Sequence, residues 1–123
     1  MARIVKPLVA ATLFALALSA GAQEPAKAAA DGTLIDGKGM TLYTFDRDAG
    51  GKSMCNGPCA TNWPPLMAAG DAKSMGDWTV VTRDDGSKQW AYKGKPVYTW
   101  VKDTKPGDKT GDGVNSVWRT ATK

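Results

Sequence analysis

The chain has 123 residues, a formal net charge of +4, two cysteines and no histidine. The lack of histidine excludes Ser-His and Cys-His nucleophilic pairs, c-type haem attachment and most zinc or type-1 copper sites. The lysines are spread along the chain, whereas a nucleic-acid-binding protein needs a clustered basic face, so we expect no nucleic-acid partner. The length suffices for one small domain and not for two.

Residues 1–22 have the features of a cleaved signal peptide. Arg3 and Lys6 precede an uncharged apolar run at 8–20, and small residues at 20–22 form a cleavage pattern. The run is too short for a comfortable membrane span, although an uncleaved anchor is the alternative. Without Arg3 and Lys6 the formal charge of +4 falls to +2. We expect a periplasmic or secreted protein with no stable membrane insertion after signal cleavage.

The rest of the chain has the pattern of turn residues between short runs that is typical of an antiparallel β protein. The alanine-rich segment 23–31 is interpreted as a flexible leader. Gly- and Asp-rich turns then separate short β-branched or aromatic runs, and the single helix candidate, 56–62, has a proline near its start. Strands are predicted at 33–35, 41–45, 78–82, 88–92 and 96–100.

One pattern occurs twice at an offset of 55 residues. Tyr-x-Phe-x-x-Asp at 43–48 recurs as Tyr-x-Trp-x-x-Asp at 98–103, and a Lys-Gly turn and a distant tryptophan repeat in the same register. A period in this range indicates a duplicated structural unit. We predict an all-β fold, a small antiparallel β domain over 32–120 with two pseudo-symmetric hairpin repeats (about 33–66 and 88–121) and little helix. The repeated residues are Tyr43, Phe45, Asp48, Trp63, Tyr98, Trp100, Asp103 and Trp118.

Aromatic and acidic side chains have both a structural and a functional interpretation. Core packing is favoured for the repeated aromatics because such rings bury large areas, and an exposed stacking platform for a sugar is the alternative. The unrepeated Trp78 is the residue that we assign to a ligand surface at a rim. For Asp48 and Asp103, capping of the adjacent loop is favoured over a pair of carboxylates in a catalytic or cation site. We therefore predict no catalytic residue and no metal site.

Cys55 and Cys59 are predicted to form a disulfide, because a cysteine pair in an exported protein is usually oxidised. A spacing of four residues on a helical turn brings the Cα atoms to roughly 6 Å, within reach of a bridge. A local staple of the loop before Trp63 is favoured. The alternative is a thiol-disulfide redox site or a soft Cu(I) site. Its further soft ligands would come from Met40, Met54, Met67 and Met75. We predict no cofactor.

The duplicated motif resembles that of the bacterial secreted-repeat "lipoprotein" family. The resemblance includes Cys-Asn-Gly-Pro-Cys-Ala at 55–60, Trp-Pro-Pro at 63–65, and the stretches 83–90, 94–98 and 106–118. It implies a cell-envelope protein of small β units whose biochemical role is unassigned, and it brings no catalytic residues. Many members are named lipoproteins, whereas this chain lacks a lipidation cysteine.

Together these features favour an exported, non-enzymatic binding or structural module of the cell envelope, with an unknown envelope partner or ligand. Two other functions stay open. One is the redox or Cu(I) protein that uses Cys55 and Cys59. The other is a module that binds carbohydrate or another envelope polymer through exposed aromatic side chains, Trp78 among them.

Overall fold

A computed structural model of the protein describes residues 24–123, and the predicted signal peptide at 1–22 lies outside the described residues. Short antiparallel strands joined by turns form this part of the chain, which confirms the all-β prediction. The elements are β1 (Lys27–Ala28), β2 (Leu34–Ile35), β3 (Tyr43–Phe45), α1 (Pro58–Asn62), β4 (Met67–Ala68), β5 (Trp78–Thr82), β6 (Lys88–Tyr92), β7 (Lys95–Pro96), a 3-10 turn (Val114–Ser116) and β8 (Trp118–Thr120).

Strand β6 is the centre of the main sheet. On one side, β5 pairs with all five residues of β6. On the other side, β4 pairs with the first two residues of β6 and β7 pairs with its last two. The turn between β5 and β6 is stabilised locally, since the Asp85 carboxylate accepts the Ser87 N–H at 2.9 Å. Gly86 supplies the positive φ of 88° that this turn requires. Two smaller sheets pair β1 with β2 and β3 with β8.

The strand predicted at 96–100 is replaced by β7 and a stretch of extended chain. Tyr98 forms only isolated bridges, one to Tyr43 and one to Pro65. Proline has no N–H to donate, so the Pro64-Pro65 segment cannot continue a regular ladder beside this stretch. It contributes the Pro64 carbonyl, which accepts the Thr99 N–H at 2.8 Å.

The segment interpreted as a flexible leader, 23–31, contains part of the fold. Within its described residues, β1 pairs with β2 in the register Lys27 opposite Ile35 and Ala28 opposite Leu34. Ala26 is buried and belongs to the same cluster as Leu34 and Trp78. An alanine-rich segment lacks a strand signal of its own, and the pairing partner supplies the conformation.

Two hydrophobic clusters lie on opposite faces of the repeated segments. Leu42 and Val97, related by the offset of 55, point into one cluster, and the adjacent Tyr43 and Tyr98 point into the other. This follows from the alternation of side chains along extended chain. The aliphatic-rich cluster contains Ala26, Leu34, Leu42, Trp78, Val97 and Ala121. The aromatic cluster contains Tyr43, Cys55, Trp63, Tyr98 and Trp118.

Candidate functional site

The repeated tyrosines pair with each other at the centre of the molecule. The Tyr43 N–H donates to the Tyr98 carbonyl at 2.8 Å, and the Tyr98 N–H donates to the Tyr43 carbonyl at 2.9 Å. This reciprocal pair is antiparallel and places both side chains on the same face. An approximate two-fold axis therefore passes between the tyrosines, and the two units meet as the subunits of an isologous dimer do.

Each tyrosine hydroxyl binds the repeated aspartate of the opposite unit. The Tyr43 hydroxyl donates to Asp103 Oδ2 and the Tyr98 hydroxyl to Asp48 Oδ2, both at 2.6 Å. Each aspartate also accepts a backbone N–H of its own loop through Oδ1. The carboxylates thus cap their loops and join the two units at the same time.

Burial and these hydrogen bonds shift the pKa values of the groups involved. Burial raises the pKa of Tyr43 and of Tyr98 well above the ordinary phenol value, and the hydrogen bonds to Asp103 and Asp48 raise both further. Burial also raises the pKa of the Asp48 carboxyl, and its hydrogen bonds to Tyr98 and Met54 oppose this effect. Both phenols stay protonated at neutral pH, and neither is suited to act as a phenolate base.

Four aromatic rings form one stack across the two-fold axis. Trp63 and Trp118 lie face to face, with ring centroids 3.7 Å apart and an interplanar angle of 3°. Trp100 covers the outer face of Trp63 at 3.9 Å, and Phe45 covers the outer face of Trp118 at 4.3 Å. Each outer ring belongs to the opposite unit from the tryptophan that it covers. The central rings are buried and the outer rings half-buried, so the stack is core with two surface ends.

The first loop, residues 48–63, contains the disulfide. Cys55 and Cys59 are bonded across the start of α1, with their Cα atoms 5.2 Å apart. Cys55 is fully buried against the aromatic cluster, and Cys59 is half-buried. The bridge thus closes a short ring between the first loop and the five-residue helix α1.

A buried arginine at the end of β5 also holds the first loop. Arg83 is 6% exposed and forms no ion pair within residues 24–123. Its Nη2 donates to the Cys55 carbonyl at 2.7 Å, and its Nη1 donates to Ser53 Oγ at 3.0 Å and Gln89 Oε1 at 2.9 Å. Ser53 Oγ lies 2.7 Å from the Tyr98 hydroxyl, so a continuous hydrogen-bonded chain joins Arg83 to the tyrosine-aspartate pair.

The second loop, residues 103–118, is held without either device. Thr110 donates its N–H and its hydroxyl to Asp103 Oδ1, at 2.9 and 2.6 Å. Gly111 donates its N–H to the Tyr43 hydroxyl at 3.1 Å and lies so close to the stack that an added Cβ would be 2.8 Å from the Trp63 ring. Close backbone approach takes the place of the disulfide and the arginine.

Trp78 is not at a rim, and its assignment to a ligand surface is wrong. The side chain is 2% exposed and belongs to the aliphatic-rich cluster, where it packs against Trp90 and Tyr92. It lies at the first position of β5, opposite Tyr92 on β6, and the start of a strand looks peripheral in the sequence. The chain segment that contains Ala26 and Leu34 covers it in the folded protein.

The soft-metal interpretation has little support in the geometry. Met54 and Met67 are about half exposed, at 54% and 50%, and both cysteines are oxidised. Among the described residues, no group of three or more His, Cys, Asp and Glu side chains could hold a metal ion.

An open cleft lies beside the first unit, between the Gly50-Gly51 turn and the turn that joins β6 to β7. Its cavity has a volume of about 400 Å³. Phe45, the end ring of the aromatic stack, is one of its walls. The lining residues are Thr44, Phe45, Asp46, Asp48, Gly50, Gly51, Lys93, Gly94, Lys95 and Pro96.

The second unit has larger residues at the positions that leave this cleft open. The offset of 55 places Lys105 and Pro106 where the first unit has Gly50 and Gly51. The Pro106 side chain lies against Gly39, since a Cβ added there would be 3.2 Å from the Pro106 Cβ. A Cβ on Gly51 would meet only the Gly94 carbonyl, at 3.9 Å. The cleft is therefore a departure from the internal symmetry.

The charges along the open cleft are not equivalent. Arg119 binds the Asp46 carboxylate with Nε at 3.0 and 2.9 Å from its two oxygens, which lowers the pKa of Asp46. Asp48 is occupied by Tyr98 and a loop N–H. Lys93 and Lys95 are exposed and form no ion pair within the described chain. The two lysines are thus positive charges that no ion pair neutralises, and they face a cleft that the Asp48 carboxylate also lines.

The family described as a secreted repeat of unknown function matches two segments of the chain, residues 26–67 and 79–122. The chain belongs to this family. The resemblance stated on the sequence motif is thereby confirmed, and each matched segment contains one of the units described above. No curated protein and no solved structure matches the chain. No helix in residues 24–123 is long and apolar enough to cross a membrane.

Sequence reasoning about this secreted repeat missed Arg83 and the lysines of the cleft. Arg83 follows a β-branched strand and precedes an Asp-Asp-Gly turn, a context typical of an exposed residue. The open cleft had a usable signal, because aligning the repeats sets Gly50-Gly51 against Lys105-Pro106. A substitution of small by bulky residues between otherwise matching units marks the place where their surfaces differ.

Proposed function

We propose that this protein is an exported, non-enzymatic binding module of the cell envelope, and that its ligand binds in the open cleft. The observation that supports this best is the asymmetry of the duplication. The repeated tyrosines, aspartates and tryptophans join the two units, while the cleft occurs where the units differ. A cavity of about 400 Å³ is within the size range of small-molecule sites.

A non-enzymatic role is consistent with the state of the ionisable groups in the aromatic cluster. Both buried phenols are protonated donors, and each is already bound to a carboxylate. Asp48 accepts one hydrogen bond on each of its oxygens. The tyrosine-aspartate hydrogen bonds join the two units, which gives the phenols and the carboxylates a structural role. We further propose that residues 1–22 are a signal peptide and that the mature protein is periplasmic or secreted.

The redox alternative has weaker support than binding. A reactive cysteine needs an accessible sulfur in an electropositive setting, and of this pair Cys55 is fully buried and Cys59 only half-exposed. Arg83 holds the Cys55 carbonyl and so stabilises the loop in its bridged conformation. The proposal of a non-enzymatic module therefore includes a structural disulfide, and a thiol count with redox titration of the mature protein checks it. A bridge that cycles at a potential well above roughly −300 mV would favour the redox function.

The binding proposal is tested by NMR on the mature, isotope-labelled protein with fragments released from cell envelopes. We expect shifts of the backbone signals of Gly50, Gly51 and 93–96. The positions related to these by the repeat, 105–106 and 38–41, should show no shifts. The variant Thr44→Tyr places a bulky side chain in the cleft and should abolish these shifts. Thr79→Tyr, the same change at an exposed position of β5, is the control. Shifts confined to the Trp100 end of the stack, or no shifts with any fraction, would refute the proposed site.

A further inference from the structure

A second cavity adjoins the open cleft and has a basic lining. Its volume is about 260 Å³, and it shares Thr44, Lys93 and Lys95 with the cleft. Arg119 and Tyr92 complete its charged and aromatic lining, together with threonine hydroxyls, and none of its lining residues is acidic. The two cavities are therefore neighbouring compartments separated by a pair of lysines.

The lysine pair is positioned by the local fold. Lys93 has a φ of 49° in the tight turn between β6 and β7. Lys95 is the first residue of β7 and pairs with Tyr92 of β6. The Lys93 ammonium lies 5.4 Å from the centre of the Tyr92 ring. Both lysines are exposed and form no contact ion pair in residues 24–123, although the charge of Lys95 contributes to the lowered pKa of Asp46. An anionic ligand therefore need not break a direct ion pair to reach them.

The rest of the lining favours a sugar ring over a simple ion. Phe45 has one face on Trp118 and lines the cleft with its remaining surface. An aromatic ring beside hydroxyl groups and backbone amides suits the apolar face and the polar edge of a saccharide. Thr44 and the backbone of Gly50 and Gly51 provide the polar groups.

We propose that the ligand is an anionic glycan that spans both cavities, with its acidic groups on Lys93 and Lys95 and a sugar ring against Phe45. This inference rests on the proposed function, since it names the ligand class of the same cleft. Two adjoining cavities with the lysines between them suit consecutive units of a chain better than a single sugar. The acidic groups are carboxylates or phosphates, and the probes below distinguish these sources.

The test measures binding of the mature protein by calorimetry to an oligogalacturonate, to its fully methyl-esterified form and to a phosphodiester-linked glycan. Esterification removes the negative charge and retains the sugar chain. We expect the protein to bind the carboxylate glycan or the phosphate glycan. The affinity for the charged glycan should exceed that for the esterified glycan at least about tenfold, and it should fall with added salt. Tighter binding of one charged glycan identifies the acidic group.

The matched variants are Lys93→Gln/Lys95→Gln and Lys38→Gln/Lys102→Gln, which remove the same charge from exposed positions. Lys38 is the repeat equivalent of Lys93 but lies outside both cavities. The first variant should weaken binding about tenfold, and the second should leave it unchanged. If both variants lose the same affinity, the effect depends on the net charge of the protein and not on Lys93 and Lys95, which would overturn the inference.

The failure of this inference is distinguishable from the failure of the proposed function. If the esterified glycan binds as tightly as the acid and Thr44→Tyr abolishes both, the cleft binds a neutral ligand and only the anionic class is wrong. If neither glycan binds and Thr44→Tyr leaves the NMR shifts unchanged, the cleft itself is wrong. Binding to phosphatidylglycerol vesicles but to no soluble glycan would also overturn the inference, in favour of a lipid surface.

Discussion

The two loops that follow the repeated motif reach the same aromatic stack by different means. The loop at 48–63 contains a disulfide and a five-residue helix and is held by the buried Arg83 from outside it, while the loop at 103–118 has Gly111 packed directly on Trp63. Both loops still deliver an aspartate to the opposite tyrosine and a tryptophan to the stack. The retained residues thus carry the architecture, and the residues that differ were available for other roles, among them the open cleft.

Loss of Arg83 should cause the largest change, because the first loop depends on it. In Arg83→Ala the Cys55 carbonyl, Ser53 and Gln89 lose a buried charged donor. We expect the free energy of unfolding to fall by about 3 kcal/mol. Urea denaturation measures it, with Arg47→Ala as the control, since Arg47 is exposed. A loss of less than about 1 kcal/mol would mean that the disulfide alone holds the loop.

The corresponding change in the second loop is Gly111→Ala. The new Cβ would lie 2.8 Å from the Trp63 ring and 3.0 Å from the Tyr43 ring, and the stack leaves neither ring free to move. Overpacking of this kind should lower the free energy of unfolding by about 2–3 kcal/mol. Gly70→Ala is the control, because a Cβ there meets nothing within 4 Å. If both variants unfold alike, the close approach is not a requirement of the second loop.

Removal of the disulfide tests whether the first loop needs the bridge that the second loop lacks. In Cys55→Ser/Cys59→Ser the short ring opens, and the chain-entropy relation gives a loss of about 2 kcal/mol. Arg83 still donates to the backbone carbonyl at position 55 in this variant. The protein should therefore still fold and bind the cleft ligand. Calorimetric melting of the oxidised protein and of the variant measures the effect. A variant that does not fold would show that the arginine cannot hold the loop without the bridge.

Local patterns predicted the local structure well. Strands β5 and β6 and the turn between them lie where alternation and the Asp-Asp-Gly-Ser turn place them, and α1 falls inside the predicted helix at 56–62. The disulfide was predictable from the short spacing of the two cysteines, although Cys55 precedes α1 and only Cys59 lies in it. The exceptions are the strand predicted at 96–100, the segment 23–31 that was interpreted as a leader but contains β1, and Trp78, which packs in one cluster with Ala26 of that segment.

The long-range contacts could not be predicted from the sequence. Tyr43 and Asp103 are 60 residues apart, and a duplicated motif is equally compatible with a tyrosine that binds the aspartate of its own unit. Only the two-fold pairing of Tyr43 with Tyr98 decides in favour of the opposite unit. The burial of Arg83 depends likewise on a loop that lies about 30 residues earlier in the chain.

The two tyrosine-aspartate pairs should differ in strength, which sharpens the comparison. Tyr43→Phe leaves Oδ2 of the buried Asp103 and the Gly111 N–H without a partner, so we expect a loss of about 2 kcal/mol. Tyr98→Phe should lose about 1 kcal/mol, because Asp48 is only half-buried and Ser53 keeps its bond to Arg83. Urea denaturation of both variants gives the difference. Equal losses would show that the exposure of the aspartate does not set the cost.

The smallest effect at neutral pH is the ionisation of the same phenols, and it grows only in alkali. The folded-state pKa values of Tyr43 and Tyr98 are raised above the ordinary value of 10.0, so the unfolded chain loses these protons first as the pH rises. The contribution to stability is therefore fully present below pH 10 and declines as the pH increases above it. The free energy of unfolding, measured from neutral pH upward, should fall more steeply in the wild type than in Tyr43→Phe/Tyr98→Phe. Parallel curves, or full tyrosinate absorbance in the still-folded protein near pH 10, would show that these phenols are not held protonated by the fold. Each single variant retains one pair, so a steeper fall in Tyr43→Phe than in Tyr98→Phe would identify Tyr98 with Asp48 as the pair better shielded from water, and the reverse would identify Tyr43 with Asp103.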